Sequence, residues 1–287
     1  MDRRNFVTKG LSAAAVAGLP LSVSAQAAND NAPVKRRFEG KVIIITGATS
    51  GIGKAAALAF AQEGGMVGFC GRREELGKEV EKEIKQQGGE GIYIKADVTQ
   101  PEEMASFVDK VVKRYGKLDV AFNNAGEVMF GKLHEITLEQ WEWIHNTNVR
   151  GVFLAMKYQL PHLLKNGGGN IVLTASMHSV STRPGAAAYA SSKRALLGLA
   201  QTAAMDYGQE GIRINVLSPG ITDTPMFRRS TGDSKEKVEN AKALVDGLKR
   251  IATAEEMAEA ALFLASNDCP YITGTSLLVD GGMMSGL

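Results

Sequence analysis

An apolar run followed by a glycine-rich turn sets the strongest limit on what this chain can fold into. Residues 41–46 are rich in β-branched side chains, as expected for a strand buried on both faces of a parallel sheet. Gly47, Gly51 and Gly53 follow directly, and residues 54–63 have the alanine-rich pattern of a helix. Such glycines let a backbone approach a pyrophosphate, and the helix N-terminus adds N–H donors. The segment therefore predicts a dinucleotide site; the alternative is a glycine-rich turn without function.

Strand-like and helix-like segments alternate through the remainder of the chain. Further strands are predicted at residues 66–71, 91–96, 118–122, 170–175, 213–218 and 276–279, and further helices at 74–87, 101–115, 138–164, 188–208 and 254–265. This alternation favours an α/β fold, a single doubly wound parallel sheet of about seven strands with helices on both faces, in the Rossmann-type arrangement. The predicted strand order is 3-2-1-4-5-6-7, in one domain over residues 38–287. Residues 221–251 break the alternation, and this charged connection is either a lid or binding loop or a plain surface insertion.

Tyr189 and Lys193 form a candidate acid/base pair. They are four residues apart, and on a helix this spacing places both side chains on one face. A close positive charge favours the phenolate, so Lys193 is expected to lower the pKa of Tyr189 towards working pH. Taken alone, the pair also fits a half-buried aromatic residue and a solvated lysine on an ordinary amphipathic helix.

Several motifs together carry a resemblance to a known family. The turn glycines have the spacing G-x-x-x-G-x-G. The further motifs are Asn123-Asn124-Ala125-Gly126 after an apolar strand, Asn148 in a predicted helix, Ser176 after another strand, and Asn215-Val216-Leu217-Ser218-Pro219-Gly220 followed by Thr224. From about residue 38 to residue 282, the chain resembles the classical short-chain dehydrogenases/reductases.

The resemblance implies reversible hydride transfer between nicotinamide C4 and a carbonyl or secondary alcohol. Tyr189 would act as the acid/base, and Ser176 would hydrogen-bond the substrate oxygen. Lys193 would hold the ribose hydroxyls and tune Tyr189, and Asn148 would anchor a water linking Lys193 to solvent. Without the family, Ser176 fits a strand-end turn residue and Asn148 a helix residue bonded to a backbone carbonyl. His178 is interpreted as lining the pocket or lying on the surface.

The same resemblance implies a set of nucleotide contacts. Asp97 and Val98 would meet the adenine, residues 124–126 the adenosine ribose, and residues 219–224 the carboxamide end, while residues 221–251 would cover the substrate. The predicted nucleotide-binding residues are Gly47, Thr49, Ser50, Gly51, Ile52, Gly53, Arg72, Asp97, Val98, Asn124, Ala125, Gly126, Tyr189, Lys193, Pro219, Gly220, Thr222 and Thr224.

The end of the second predicted strand bears on the choice between NADP and NAD. NAD enzymes usually place a carboxylate there for the ribose hydroxyls. Here Gly71 is followed by Arg72 and Arg73, and a guanidinium favours a 2′-phosphate. NADP is therefore favoured, with the alternative that these arginines are solvated residues at a helix start. Ser50 stands where many NADP-preferring relatives carry a basic residue, so use of NAD or of both nucleotides stays open.

The first residues have the order of an export signal. Arg3-Arg4-Asn5-Phe6 is a twin-arginine pattern, residues 10–23 are apolar, and Ala25-Gln26-Ala27 is a cleavage site. Residues 1–27 are predicted to be the signal and 28–37 a linker, which gives a periplasmic protein without membrane attachment after cleavage. The alternatives are an uncleaved anchor, or a cytoplasmic protein whose signal is not used. Since free nicotinamide nucleotide should be scarce outside the cytoplasm, the enzyme is expected to carry its nucleotide along or to work before export.

Charge and cysteine content argue against other classes of protein. The chain has 33 basic and 31 acidic residues, and loss of residues 1–27 would leave a charge near zero, so neither nucleic acid nor an anionic membrane is expected as a partner. The two cysteines form no metal-binding pattern, and no metal is expected. No disulfide is expected between Cys70, at the end of the second strand, and Cys269, before the last, because these strands are far apart in the predicted sheet. By resemblance, the helices predicted at 138–164 and 188–208 would pair in a homodimer or homotetramer.

These features together predict an NAD(P)-dependent short-chain dehydrogenase/reductase that prefers NADPH and acts on a small carbonyl or alcohol. Two alternatives remain: an NAD-preferring dehydrogenase of a sugar, steroid or other secondary alcohol, and a nucleotide-binding protein without turnover. The second has no evident need for Tyr189 beside Lys193.

Overall fold

Seven parallel strands form a single sheet in the computed structural model, which describes residues 36–232 and 234–285. In chain order they are β1 (Val42–Thr46), β2 (Met66–Gly71), β3 (Glu90–Lys95), β4 (Val120–Asn123), β5 (Gly169–Thr174), β6 (Ile212–Pro219) and β7 (Ser276–Val279). Their spatial order is β3-β2-β1-β4-β5-β6-β7, which confirms the predicted fold class and strand order. The order reverses between β1 and β4, the kind of position at which open α/β sheets bind ligands.

Nine α-helices lie within the described residues. They are α1 (Gly51–Gln62), α2 (Glu74–Gln86), α3 (Pro101–Tyr115), α4 (Leu138–His145), α5 (Gly151–Lys165), α6 (Ala187–Tyr207), α7 (Pro225–Thr231), α8 (Lys235–Ala243) and α9 (Ala254–Ala265). Core residues of α1, α2 and α9 belong to one buried cluster, and those of α3, α5 and α6 to another. The helices therefore cover both faces of the sheet, as predicted.

Strand β1 shows why its sequence is an almost continuous apolar run. Val42 and Ile44 belong to the cluster with α3, α5 and α6, whereas Ile43 and Ile45 belong to the cluster with α1, α2 and α9. All five residues of β1 are buried. Because both faces are covered, the four apolar side chains of the strand each enter a core, and the polar Thr46 at its end is buried as well.

The long helix predicted at 138–164 is interrupted in the structure. Between α4 and α5, residues Asn146–Arg150 form a π-helical turn that contains Asn148. A π turn widens a helix by one residue and is frequent at functional sites. Its polarity pattern differs too little from that of an α-helix for the sequence to reveal it, so the helical segment was predicted correctly but its π turn was not.

Other boundaries differ by a few residues. The helix predicted to start at residue 54 begins at Gly51, because the glycine turn itself forms its first turn. Strand β3 starts at Glu90, one residue before the prediction, and β4 starts at Val120, two residues after it.

The connection at residues 221–251 contains α7 and α8. Its ends are bonded to each other, since the N–H of Ala252 donates to the carbonyl of Ile221 at 3.1 Å and that of Asp223 to the carbonyl of Ala252 at 2.8 Å. The N–H of Leu248 donates to the carbonyl of Gly281 at 2.8 Å, just beyond β7. The connection is thus anchored at both ends beside the carboxyl ends of β6 and β7.

The predicted signal and the linker up to residue 35 lie outside the described residues. Within residues 36–232 and 234–285, no helix combines the length and apolar character that a membrane crossing needs. Cys70 is buried in β2, Cys269 precedes β7, and both are free thiols.

Candidate active site

The predicted site residues meet at the carboxyl ends of the central strands. The strands concerned, β1, β4, β5 and β6, end at Thr46, Asn123, Thr174 and Pro219. The glycine turn, residues 124–126, Ser176 and residues 220–224 follow them in that order. The parallel sheet thus collects distant parts of the sequence along one edge.

Close backbone contacts explain the glycines of the turn. Gly47 has a left-handed backbone, φ +71°, and a Cβ there would lie 2.7 Å from the Cα of Ala125. At Gly53 a Cβ would lie 2.4 Å from the carbonyl oxygen of Gly47. The N-cap of α1, Ser50, makes no side-chain capping bond. A narrow turn that leads into an uncapped helix N-terminus fits the pyrophosphate of a dinucleotide.

The loop after β4 is bonded to the glycine turn. Thr46 Oγ1 accepts hydrogen bonds from the N–H groups of Asn124 and Ala125, both at 3.1 Å. Asn124 Nδ2 lies 3.3 Å from the carbonyl oxygens of Thr46 and Gly47, to which it donates. These bonds fix residues 124–126 beside the turn.

Arg73, rather than Arg72, contacts the glycine turn. Its guanidinium donates to Thr49 Oγ1 at 2.7 and 3.2 Å and to Ser50 Oγ at 2.7 Å. The Arg73 cation, which follows β2, is therefore held over the turn by the hydroxyl groups of Thr49 and Ser50, two of the predicted nucleotide-binding residues.

Ile52, another predicted nucleotide-binding residue, lies in the first turn of α1, with its half-buried side chain against the core.

Arg72 faces a different set of groups. Its guanidinium lies 3.2 Å from Glu127 Oε1 and 4.0 Å from Asp97 Oδ2. Asp97 Oδ1 accepts from both the N–H and the hydroxyl of Thr99 at 2.9 Å, so Asp97 has the contacts of a turn residue. Val98 is buried beside it. The structure thus places Asp97 and Val98 together after β3, and pairs Arg72 with acidic groups.

Residues 219–224 lie against the same turn. The N–H of Gly220, which follows Pro219, donates to the carbonyl of Val279 at 2.9 Å, and Thr222 Oγ1 donates to the carbonyl of Gly220 at 3.2 Å. Thr224 caps α7. A Cβ on Gly51 would lie 3.3 Å from Thr224 Cγ2, so this loop closes over the start of α1.

Asn148 holds the loop after β4 against α6. Its Oδ1 accepts from the N–H of Glu127 at 2.8 Å, and its Nδ2 donates to the Glu127 carbonyl at 2.9 Å and to Ser192 Oγ at 3.0 Å. Ser192 Oγ in turn donates to the carbonyl of Tyr189 at 2.7 Å. Asn148 is fully buried, and its side chain acts as a clamp between two parts of the site.

Lys193 is a buried cation next to this clamp. Its Nζ donates to the carbonyl of Thr174, at the end of β5, at 2.9 Å, and only 3% of the residue is exposed. A Cβ on Gly126 would lie 3.0 Å from Nζ and 3.3 Å from Asn148 Oδ1, so the glycine leaves room for both side chains. Burial lowers the pKa of Lys193 to about 8.

Tyr189 lies half-buried in the first turn of α6. Its ring centroid is 5.9 Å from Lys193 Nζ, 6.2 Å from the Phe130 ring and 5.9 Å from the His178 ring. The i, i+4 prediction that Tyr189 and Lys193 lie on one helix face is confirmed by this proximity.

Burial raises the pKa of Tyr189 above its ordinary value. A hydrogen bond with Ser176 and the charge of Arg183 act in the opposite direction, but burial dominates. The net direction is therefore opposite to the expectation drawn from Lys193. The physical reason is that the ammonium group bonds to the Thr174 carbonyl, while the phenol is desolvated by its aromatic neighbours.

Ser176 and His178 lie between β5 and α6, at a single 3₁₀ turn, Met177–Ser179. Ser176 Oγ accepts from the N–H of His178 at 3.2 Å, which leaves its own O–H free to donate towards Tyr189 or a substrate oxygen. His178 is only 7% exposed, and its Nδ1 is buried without a hydrogen-bond partner among the described residues. Burial, followed by the charges of Arg183 and Arg194, lowers the pKa of His178 to about 4, so this imidazole is neutral at neutral pH.

Sequence reasoning missed several residues of the site. Glu127 and Thr174 act through backbone groups bonded to Asn148 and Lys193, which no side-chain pattern reveals. Phe130 lies in a loop without periodicity. Arg183 could have been noticed in the sequence, because it is the only Lys or Arg between Ser176 and Tyr189.

A sequence-family model described as Enoyl-(Acyl carrier protein) reductase matches residues 47–284. The 3beta-hydroxysteroid dehydrogenase of Mediterraneibacter gnavus is 36% identical over 264 residues, which cover 86% of this chain and 95% of the relative. The 3-oxoacyl-(acyl carrier protein) reductase FabG of Thermotoga maritima is 37% identical over 250 residues, which cover 86% of this chain and 99% of the relative.

A solved structure gives the same picture of the fold. The crystal structure of levodione reductase is similar to this chain with a TM-score of 0.83 and 30% sequence identity. The similarity covers 88% of this chain and 100% of that one.

Proposed function

This chain belongs to the classical short-chain dehydrogenase/reductase family and is an NAD(P)-dependent oxidoreductase; from that premise, we propose that it interconverts a carbonyl compound and a secondary alcohol, with Tyr189 as the acid/base and NADPH as the favoured reductant. The observation that carries the proposal is the Tyr189 ring 5.9 Å from the buried ammonium of Lys193 and 5.9 Å from the ring of His178, in the short turn that Ser176 caps.

The nucleotide supplies the hydride when bound, and the protein supplies binding, orientation and the proton. Residues that would hold it are the glycine turn with Arg73, the loop 124–126 and the loop 219–224. In the direction of reduction, the Tyr189 phenol gives its proton to the carbonyl oxygen as the hydride reaches the carbonyl carbon. The Ser176 hydroxyl donates a hydrogen bond to the same oxygen and stabilises its growing negative charge.

The raised pKa of Tyr189 suits a proton donor. A phenol whose pKa exceeds its ordinary value is protonated at neutral pH, so the protein without substrate holds the proton that reduction needs. The Lys193 ammonium lies 5.9 Å from the centre of the Tyr189 ring, and its positive charge favours the phenolate left after proton transfer. Asn148 would keep Lys193 in place through residues 126–127 and, as the resemblance implies, anchor a water that restores the proton.

The proposal is tested by following oxidation of NADPH and NADH by the purified protein across ketones, aldehydes, sugars and acyl carbonyls. Tyr189→Phe should reduce turnover by roughly a hundredfold to ten-thousandfold, the usual contribution of a general acid. Nucleotide affinity, measured by fluorescence titration, should change little. Tyr207→Phe, at the other end of α6, is the matched control and should retain activity.

Two outcomes would contradict the proposal. Full turnover in Tyr189→Phe would assign the proton to another group. Absence of turnover by the wild-type protein with every carbonyl, and with the corresponding alcohols and oxidised nucleotide, would favour a binding role.

We also propose a homodimer or homotetramer. Several large apolar side chains on α4 and α5 are exposed in a single chain: Trp141, Trp143 and Phe153. An interface with a second copy would bury these side chains and so lower the free energy of the assembly. Light scattering coupled to size exclusion tests this; a monomer at micromolar concentration would contradict it.

A periplasmic location, reached through the twin-arginine signal, is a further proposal. It is supported by the order of charge, apolar stretch and cleavage site in residues 1–27. Replacement of both arginines, Arg3→Lys with Arg4→Lys, should keep the protein in the cytoplasm. Equal periplasmic amounts of the wild type and this variant in fractionated cells would oppose the proposal. Nucleotide released from the periplasmic protein would show whether it is carried along.

A further inference from the structure

A cation that has no acidic partner in the part of the chain that the structure describes lies beside the proposed acid/base. The Arg183 guanidinium lies over the Phe130 ring, 4.1 Å from its centroid, and the Phe130 ring meets the Tyr189 ring edge-on at 6.2 Å. Stacking on an aromatic face holds a guanidinium in place while its N–H donors stay available in the ring plane. The Phe130 ring therefore contacts both the Arg183 guanidinium and the Tyr189 phenol, which would protonate the substrate.

Two arginines near the site are paired with a carboxylate, and Arg183 is not paired with one among the described residues. Arg72 and Arg229 both lie within 3.5 Å of Glu127 carboxylate oxygens, at 3.2 and 3.5 Å. Over residues 36–232 and 234–285, Arg183 has neither an ion pair nor a side-chain hydrogen bond. The residue is exposed, so the N–H donors of its guanidinium are open to an anion that enters beside Tyr189.

The position of Arg183 is fixed by backbone bonds. The N–H of Gly131 donates to the carbonyl of Gly185 at 2.9 Å, which ties the Phe130 loop to the Arg183 loop. The N–H of Ala186 donates to the Arg183 carbonyl at 3.2 Å and closes a turn directly before α6. The arginine thus belongs to a defined turn at the mouth of the site.

Among the described residues, the charged side chains that act on His178 and Tyr189 are cations. Arg194 donates to the carbonyl of Ser181 at 3.3 Å, Lys193 is cationic, and His178 is a neutral imidazole. The carboxylate of Glu127 is already shared by Arg72 and Arg229. The corner beside Tyr189 therefore carries a net positive field.

We propose that Arg183 binds a carboxylate of the substrate, so that the enzyme acts on short keto acids and the matching hydroxy acids. The guanidinium matches a carboxylate through two parallel N–H···O bonds, and such a pair would orient a carbonyl a few bonds away towards Tyr189 and Ser176. This inference deepens the proposed function and rests on it.

Matched substrate pairs test the assignment. Rates of NADPH and NADH oxidation are compared for short β- and γ-keto acids and for their methyl esters, which keep the carbonyl and remove the charge. The wild type should prefer the acids. Arg183→Met should lower kcat/KM for the acids by roughly tenfold to a hundredfold, the loss expected for a charge-assisted hydrogen bond, and should leave the esters nearly unchanged.

Arg194→Met is the control for a general field effect. It removes a nearby positive charge whose bond is to a backbone carbonyl, so it should change the acid-to-ester ratio far less than Arg183→Met. Arg183→Lys should recover part of the preference, because it restores the charge without the planar fork. Equal losses in Arg183→Met and Arg194→Met would overturn the assignment to Arg183.

An equilibrium measurement separates this inference from the proposed function. Calorimetric titration of the NADP-loaded protein with a saturated carboxylic acid, which cannot be reduced, should show binding in the wild type and its loss in Arg183→Met. Identical affinities would overturn the inference whatever the turnover. Good turnover of esters without a preference for acids would also overturn it, while leaving the proposed reductase activity intact.

Discussion

At the residue scale, burial changes the acid/base properties of the site more than the spacing of its residues does. Tyr189 and Lys193 occupy one helix face, as their spacing predicts, but the phenol holds its proton more tightly than usual and the ammonium less tightly. Both shifts have the same main cause, since desolvation disfavours the charged form of each group. The Tyr189 phenol is therefore protonated at neutral pH in the protein without ligands.

The pKa of Lys193 predicts a pH dependence. As pH rises through about 8, Lys193 loses its charge while Tyr189 is still protonated. The phenolate formed by proton transfer then lacks its nearby cation, so kcat/KM for reduction should fall above this pH. Steady-state rates across the pH range check this, and Lys193→Arg, which keeps its charge, should move the fall to higher pH. An unchanged profile in Lys193→Arg would argue against it.

The choice of nucleotide belongs to the same scale. Arg73 donates to Thr49 and Ser50 in the glycine turn, whereas Arg72 pairs with Glu127 and Asp97. Arg73→Ala should therefore raise KM for NADPH by roughly tenfold or more, as for loss of a charge-assisted bond to phosphate, and change KM for NADH little. Arg72→Ala is the matched comparison and tests the original expectation from the sequence. Equal effects of Arg73→Ala on both nucleotides would refute the assignment.

At the element scale, the closeness of α1 to the end of β1 depends on Gly53. A Cβ there would lie 2.4 Å from the carbonyl oxygen of Gly47, which is backbone and cannot turn aside. Gly53→Ala should displace the start of the helix, weaken nucleotide binding and lower the melting temperature. Gly198→Ala is the control: Gly198 lies in α6 with nothing within 4 Å of a Cβ, so this change should be neutral or stabilising by about 0.5–1 kcal/mol. Unchanged nucleotide affinity in Gly53→Ala would contradict this account.

The elements differ in how far their sequences define them. The central strands were predicted within one or two residues because both faces of the sheet are covered, so apolar residues follow one another through the strands, as in Ile43-Ile44-Ile45 of β1 and Ile171-Val172-Leu173 of β5. The π turn at Asn146–Arg150 was not predicted, since no local pattern marks it. Its residue Asn148 bonds instead to the backbone of Glu127, which is remote in the sequence. The helices of residues 221–251 were also missed: α8 buries no residue, so it lacks the apolar stripe by which helices are recognised.

At the scale of the whole molecule, Asp119, which directly precedes β4, binds Val42, the first residue of β1. Its carboxylate accepts from the N–H of Val42 at 2.9 Å and lies 3.2 Å from Lys41 Nζ and 3.0 Å from Lys117 Nζ. Burial by itself would raise the pKa of Asp119, but the Val42 N–H and the two lysines outweigh it, and the pKa is lowered. The folded protein therefore favours the charged carboxylate at the centre of the sheet.

This lowered pKa predicts how stability depends on pH. The unfolded chain binds a proton at Asp119 more readily than the folded chain does, so the stabilisation is present above the ordinary carboxyl pKa and is lost as pH falls through the lower, folded value. Asp119→Asn should lower the free energy of unfolding by about 1–3 kcal/mol at neutral pH. Denaturant titrations at neutral and acidic pH check this. A difference between wild type and variant that persists unchanged in acid would contradict it.

The sequence by itself determined the order of strands and helices, the glycine turn, and the placement of Tyr189 and Lys193 on one helix face. These follow from local patterns: apolar runs, glycines that a tight turn requires, and an i, i+4 spacing on a helix. Asn148 and Ser176 joined this pair only through the resemblance to the short-chain dehydrogenases/reductases. Tertiary structure alone decided that Arg73 reaches the turn instead of Arg72, that the pKa of Tyr189 moves upwards, and that Arg183 stands unpaired beside Phe130. Each of these depends on distances between residues remote in sequence and on how much water the fold removes from them, and neither quantity is encoded in any local pattern.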